Sequence, residues 1–307
     1  MIRIGIQGVG KIARDQHIPA IRRNPAFELA AVASRHGRVD GVDNFSDLAE
    51  MLAARPDLDA VAICTPPQAH YEGARLALER GKHVLLEKPP TETVRQLESL
   101  VALAAKTKAT LFQTWHSRFA KGVAPAREWL RDRKILSGRI LWKEDVRQWH
   151  PGQKWIWDAG GFGVFDPGIN AISILTEIAP SPIFVRDAKL HVPGNCEAPI
   201  AADITFATGE GALISAEFDF RESGRQIWTI ELTTDGGALQ LSSGGADLRI
   251  DACIIAPDQD DDEYPSLYAR FAALIRAGKS EVDAAPFQLV ADAFLVGSRR
   301  SVEPFNE

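Results

Sequence analysis

Through its first 120 residues the chain alternates short, β-branched apolar runs with longer stretches in which apolar positions recur at helical spacing. The runs Ile2–Ile6, Leu29–Ala33, Ala60–Cys64, His83–Leu86 and Thr110–Thr114 predict five strands, and His70–Arg80 and Thr93–Lys106 predict helices between them. Strands and helices in this order join by right-handed crossovers into a parallel sheet, so the N-terminal part reads as a doubly wound α/β domain. Beyond Trp129 the pattern changes. Arg139–Arg147, Ala201–Phe206, Ala212–Phe220, Gln226–Thr233 and Ala238–Leu241 have strand character and are separated by glycine-rich turns such as Asp235-Gly236-Gly237. They predict a second α/β domain with an open, mostly antiparallel sheet. The expected domains are residues 1–119 and 120–307. Two late helical stretches, Ser266–Arg276 and Phe287–Arg299, either cover the second sheet or return to the first domain, and the sequence leaves both open. Asp258–Glu263 reads as a short, solvated acidic loop.

Composition narrows the class. A chain of 307 residues that is 45% hydrophobic and 25% charged has the balance of a soluble globular protein with a sizeable core. Its net charge of −6, with no Lys/Arg block, lacks the footprint of a nucleic-acid binder, so the expected partner is a small molecule. No charged N-terminal segment leads into an apolar run, and nowhere do about 18 apolar residues stand together, which predicts neither export nor a membrane span. Cys64, Cys196 and Cys253 are far apart and form no CxxC pair, as expected of free thiols in a reducing compartment; the cytoplasm is the expected location. No ligand spacing such as HExxH suggests a metal.

The first chemical signal is Gly8-Val9-Gly10-Lys11-Ile12-Ala13, which follows the first strand and opens a helix. In that context G-x-G-x-x-A is a dinucleotide-binding turn. Gly8 permits the tight turn, Gly10 lets the backbone approach a pyrophosphate, and Ala13 allows close helix–strand packing. The amides at the helix start, around Lys11 and Ile12, face the anion. About 20 residues on, where NAD-binding proteins carry a carboxylate for the ribose 2′-hydroxyl, the sequence reads Ser34-Arg35-His36. A serine hydroxyl and a guanidinium suit a 2′-phosphate, so NADP is expected to be accepted, and nothing there excludes NAD.

The third predicted strand ends in Cys64-Thr65-Pro66-Pro67, with His70 opening the next helix, and the fourth ends in Glu87-Lys88-Pro89. Together with the glycine turn these segments resemble the glucose–fructose oxidoreductase, inositol dehydrogenase and rhizopine catabolism (Gfo/Idh/MocA) superfamily over the whole chain. The resemblance implies a Rossmann domain followed by an α/β domain whose open sheet forms a homodimer contact. It implies that Cys64, Thr65, Pro66, His70, Glu87 and Lys88 border the cofactor and that Lys88 reaches both nicotinamide ribose and a substrate hydroxyl. A lysine at the carboxyl end of a parallel strand stands at the edge where open α/β sheets bind ligands.

The family's second signature, Asp-x-Gly-x-x-x-His or a close variant on a helix, is occupied here by Asp166-Pro167-Gly168-Ile169-Asn170. Residues four apart on a helix share a face, so Asp166 and Asn170 are expected to meet one ligand. Asparagine is no general base, so the proton acceptor is expected to be Asp166, with Glu144 and then Lys88 in reserve. The segments Thr114-Trp115-His116-Ser117-Arg118, Trp142 to Arg147, and Trp149-His150-Pro151-Gly152-Gln153 are similar to those of bacterial L-arabinose/D-galactose 1-dehydrogenases. Six of the seven tryptophans lie between Trp115 and Trp157, a concentration suited to stacking on a sugar while His116, Glu144 and His150 bond its hydroxyls and Trp149 lines the pocket. The expected activity is NAD(P)-dependent oxidation of D-galactose or L-arabinose at C1 to a lactone, with Lys88, Asp166 and Asn170 at the reacting hydroxyl. The alternatives are another sugar or inositol dehydrogenase of the superfamily, and a non-catalytic NADP or sugar sensor.

Overall fold

A computed structural model of the chain describes residues 1–256 and 263–306. Most of the expected acidic loop, Asp258 to Asp262, lies outside the described residues. Met1–Trp115 with Glu263–Ala284 form one compact unit, and the described residues of His116–Asp262 with Ala285–Glu307 form the other.

In the first unit, β1 (Ile2–Gln7), β2 (Phe27–Ala33), β3 (Asp43–Phe45), β4 (Ala60–Ile63), β5 (His83–Leu86) and β6 (Leu111–Gln113) form a six-stranded parallel sheet. Its order, β3-β2-β1-β4-β5-β6, is that of a doubly wound dinucleotide-binding sheet. The central strands are apolar on both faces, Ala60, Val61, Ala62 and Ile63 being fully buried, as expected where helices cover both sides. The connecting helices are α1 (Ile18–Arg23), α2 (Leu48–Ala54), α3 (His70–Glu79) and α4 (Val94–Thr107). α4 starts sharply because Thr93 and Gln96 exchange side-chain-to-backbone bonds in a capping box. The edge strand β3 was not expected: Asp43-Asn44-Phe45 is short, polar and largely exposed, so it carries no apolar run.

In the second unit, α5 (Val123–Leu130) leads to β7 (Ile135–Lys143), then to the short α6 (Val146–Trp149) and to α7 (Phe165–Ile178). The strands β8 (Ile183–Pro193), β9 (Ala201–Thr208), β10 (Leu213–Asp219), β11 (Ile227–Thr234), β12 (Gly237–Ser242), β13 (Asp247–Ile250) and β14 (Cys253–Ala256) follow. α8 (Glu263–Ala277) belongs to the first unit, whereas α9 (Ala285–Val296) and β15 (Ser298–Val302) belong to the second. The nine-stranded sheet has the order β14-β13-β12-β11-β7-β10-β9-β8-β15 and is antiparallel except at β7/β10 and β8/β15. α7 is buried over most of its surface between the sheet and its neighbours α5 and α9.

Two expected elements are corrected, and one open question is answered. The strand expected at Arg139–Arg147 runs instead from Ile135 to Lys143, and Asp145 turns the chain into α6 by accepting a hydrogen bond from the Arg147 N–H (3.0 Å). The helix expected at Phe287–Arg299 ends at Val296, and Ser298–Val302 pairs in parallel with β8. The late helices do not share one fate, since α8 joins the first unit and α9 the second.

Candidate active site

In the first unit the cofactor half is built on the turn after β1. Gly8 adopts φ +91°, and a Cβ there would lie 2.8 Å from the Cys64 carbonyl oxygen, so no other residue fits without displacing β4. A Cβ on Gly10 would meet nothing within 4 Å, which leaves its backbone open to a ligand. The helix opens here and carries a π-helical turn at Ala13–His17, with Ala13 fully buried against the sheet. Lys11 pairs with Asp15 on the exposed face, and Ile12 is exposed.

The loop after β2 packs onto this turn. A Cβ on Gly37 would collide with Val9, and the Ser34 hydroxyl oxygen accepts hydrogen bonds from the Val9 (3.4 Å) and Gly37 (3.1 Å) N–H groups. The hydroxyl proton of Ser34 therefore remains to be donated outward. Arg35 and His36 are exposed. Arg38, which the sequence reading did not single out, donates to the Ser34 carbonyl (2.9 Å), placing a second guanidinium on the same loop.

Thr65 and Pro66 follow β4. His70 is buried between the loops after β4 and β5, with Nε2 2.5 Å from the Thr65 carbonyl oxygen and Nδ1 2.9 Å from that of Pro89, and the neutral ring donates to one of the two. Burial pushes the His70 pKa down, against the pull of those carbonyls and of Glu87. Burial likewise lowers that of half-buried His83. Because the folded state favours the neutral ring, this stability is complete above the ordinary imidazole value of about 6.5 and is lost as pH falls below it. The melting temperature is expected to drop between pH 7.5 and pH 5.5, and His70→Gln to show a smaller drop; an equal drop in both proteins excludes His70 as a source.

Burial also pushes the Cys64 thiol up, so Cys64 is a packing residue and no nucleophile. Among the described residues, buried oxygens at the carboxyl edge of the sheet, Gln7 Oε1, Thr65 Oγ1, Gln113 Oε1 and Thr114 Oγ1, have no protein hydrogen-bond partner. With the open face of Gly10, these unpartnered oxygens fit the edge to a polar ligand such as a dinucleotide. Glu87 is buried, and its Oε2 accepts from the Lys88 N–H (2.8 Å); Lys88 itself is half-buried, two residues beyond β5.

The second unit gathers the remaining candidates. Asp166 sits in the first turn of α7, 3% exposed, where the helix dipole favours a carboxylate, and Asn170 lies one turn further on. His150, just past α6, places Nε2 3.4 Å from Asp166 Oδ2. A carboxylate–imidazole pair is thus formed, with the imidazole coming from a different element than the family signature. Glu144 lies one residue past β7, buried, and its Oε2 accepts from Trp228 Nε1 (2.8 Å). Trp149 is 38% exposed, stands edge-on to Trp228 with ring centroids 5.8 Å apart, and donates to Gln226. His116 opens a 3₁₀ turn, half-buried beside Ser117.

Within the second unit, Trp142 on β7 stands directly opposite Trp228 on β11, which packs against Trp149. Trp115 is buried in the first unit and donates to the Asp283 carbonyl, Trp142 is buried on β7, and Trp129 lies under the Arg133 guanidinium at 4.2 Å. Trp157 packs against Phe220 and Phe305. The seventh, Trp228, is the one that joins Trp149; its place in an ordinary strand pattern gave no signal of this. Among the described residues no group of three or more His, Cys, Asp or Glu side chains is arranged to hold a metal ion, and no helix is long and apolar enough to cross a membrane.

Residues 2–114 match the oxidoreductase family with an NAD-binding Rossmann fold, GFO_IDH_MocA. The chain is 46% identical over 304 residues to galactose 1-dehydrogenase of Pseudomonas fluorescens, covering 99% of this chain and 98% of that one. The crystal structure of D-galactose-1-dehydrogenase from Rhizobium etli superposes with a TM-score of 0.94 at 53% identity, over 99% and 98% of the two chains. KijD10, a 3-ketoreductase from Actinomadura kijaniata solved with NADP and TDP-benzene, shares the fold at 20% identity, with a TM-score of 0.82 over 98% and 99%. Fold, glycine turn and sheet edge define an NAD(P)-dependent oxidoreductase acting on a CH–OH group. The chain belongs to the Gfo/Idh/MocA family.

Proposed function

We propose that this protein is an aldose 1-dehydrogenase that oxidises D-galactose, and L-arabinose with it, at C1 to the lactone. The observation that carries this reading is the likeness to galactose 1-dehydrogenase over 99% of the chain. The pairing of a buried carboxylate with an imidazole, and a tryptophan-held glutamate in the same unit, support it with suitable chemistry.

Nicotinamide dinucleotide, when bound, would supply the acceptor for the hydride that leaves the sugar's C1. Asp166 takes the proton of the C1 hydroxyl, and the His150 ring N–H orients its carboxylate. The Lys88 ammonium polarises the same hydroxyl and stabilises its developing negative charge. Asn170 donates its amide to a neighbouring hydroxyl, while His116 and Glu144 fix others, Glu144 held in place by Trp228. Trp149 and Trp228 offer faces to the apolar side of the ring. The two sugars share configuration at C2, C3 and C4 and differ only at C5, so a site that matches hydroxyls admits both and rejects epimers.

A panel of aldoses assayed with NAD and NADP, read by absorbance of reduced cofactor, tests this. D-Galactose and L-arabinose are expected to be turned over at least tenfold better than D-glucose, the C4 epimer of galactose; absence of galactose oxidation overturns the reading. Ser34 and Arg35 receive the 2′-phosphate of NADP in this proposal. Ser34→Asp is therefore expected to cut NADP use more than tenfold, the equivalent of about 1.4 kcal/mol, while sparing NAD. Equal loss with both cofactors removes Ser34 from that role. We also place the protein in the cytoplasm, as a homodimer through the open sheet.

A further inference from the structure

Behind the Glu87-Lys88-Pro89 segment lies a buried hydrogen-bonded cluster that the reaction chemistry does not use. His17, from the π-helical turn, is fully buried, and Glu87 is 3% exposed. Tyr264 and Tyr268, both from α8, complete the cluster within the same unit. Glu87 Oε1 accepts from the Tyr264 hydroxyl (2.9 Å) and lies 3.1 Å from His17 Nε2, while Oε2 accepts from the Lys88 backbone N–H. His17 Nδ1 lies 2.8 Å from the Tyr268 hydroxyl. A neutral His17 protonated on Nε2 satisfies these contacts at once: it donates to Glu87 and accepts from Tyr268. Burial beside Glu87 pushes both tyrosine pKa values well up, so both remain neutral phenols able to donate.

A buried carboxylate is a poor device for stability alone, because apolar residues of similar volume serve as well or better. This carboxylate occupies the position where it fixes the backbone of the next residue, Lys88. His17 stands on the helix that opens at Gly8 and Gly10, and its π-helical turn is a local irregularity of a kind frequent at functional sites. We propose that His17 and Tyr264 are positioning residues that act through Glu87 to lock Lys88, tying the dinucleotide-binding helix to the strand end that carries the lysine. The kinetic part rests on the role of Lys88 proposed above; the structural part does not.

The test combines backbone hydrogen exchange at Lys88 in the cofactor-free protein with kcat and cofactor affinity, using whichever sugar the wild type oxidises best. His17→Leu and Tyr264→Phe are expected to speed exchange of the Lys88 amide at least tenfold, leave exchange in β2 unchanged, and lower kcat at least tenfold with cofactor affinity held within threefold. His17→Gln sets an amide N–H near the position of Nε2 and is expected to restore both readouts. Tyr264→Phe removes a single hydroxyl and carries the test if His17→Leu does not fold. Lys88 exchange within threefold of wild type in the folded variants overturns the proposal, and so does a rise spread evenly over β1, β2 and β5, which marks a merely structural role. Faster Lys88 exchange with unchanged kcat upholds the positioning and instead removes Lys88 from the reaction.

Discussion

Asp166→Asn is expected to lower kcat for D-galactose by roughly 10²–10⁴-fold, the range for loss of a general base. The substitution keeps shape and volume, so α7 and its packing are preserved, and the amide still faces His150, whose Nε2 is 3.4 Å from Asp166 Oδ2 in the wild type. What is lost is the capacity to take a proton, since an amide is no base near neutral pH. Cofactor affinity, proposed to rest on the glycine turn of the other unit, is expected to change little, so the loss falls on kcat. A near-normal kcat for Asp166→Asn, together with its loss in Glu144→Gln, moves the proton acceptor to Glu144.

The physical reasons that made parts of this molecule legible in sequence differ between its halves. Ala60–Ile63 and His83–Leu86 were read correctly because central parallel strands are buried on both faces and leave an unbroken apolar run. β8 escaped notice because Arg186, Asp187 and Lys189 interrupt it, and β15 because Ser298-Arg299-Arg300-Ser301 is an exposed edge. Gly8 was legible because a tight turn directly after the first strand calls for a residue that tolerates its φ of +91°. The pairing of His150 with Asp166 was not, since residues 16 apart on separate elements share no period. His17 gave no signal either, being one of several polar residues along its helix, with partners, Glu87 and Tyr268, that lie 70 and 251 positions away.

Lys88→Met is expected to lower kcat/KM by about 10²–10³-fold, equivalent to some 2.7–4 kcal/mol, the scale for removing a group aimed at developing oxyanion charge. Methionine keeps much of the lysine stem and its packing but removes the charge and the three N–H donors. The backbone N–H of residue 88 still donates to Glu87, so the strand end and the cofactor site behind it are expected to stand, and nucleotide affinity measured by fluorescence to hold within a few-fold. Lys88→Arg is not expected to restore the rate, because a broad planar guanidinium cannot place its charge where the compact ammonium stood. Alkaline pH separates this loss from that of Asp166→Asn. Hydroxide can stand in for a missing base, so the Asp166 variant is expected to recover part of its rate as pH rises, whereas it supplies no positive charge, so Lys88→Met is expected to stay low throughout. Full turnover by Lys88→Met at neutral pH shows that the lysine does not touch the reacting hydroxyl, and recovery at high pH shows that its contribution is to proton removal instead of to charge.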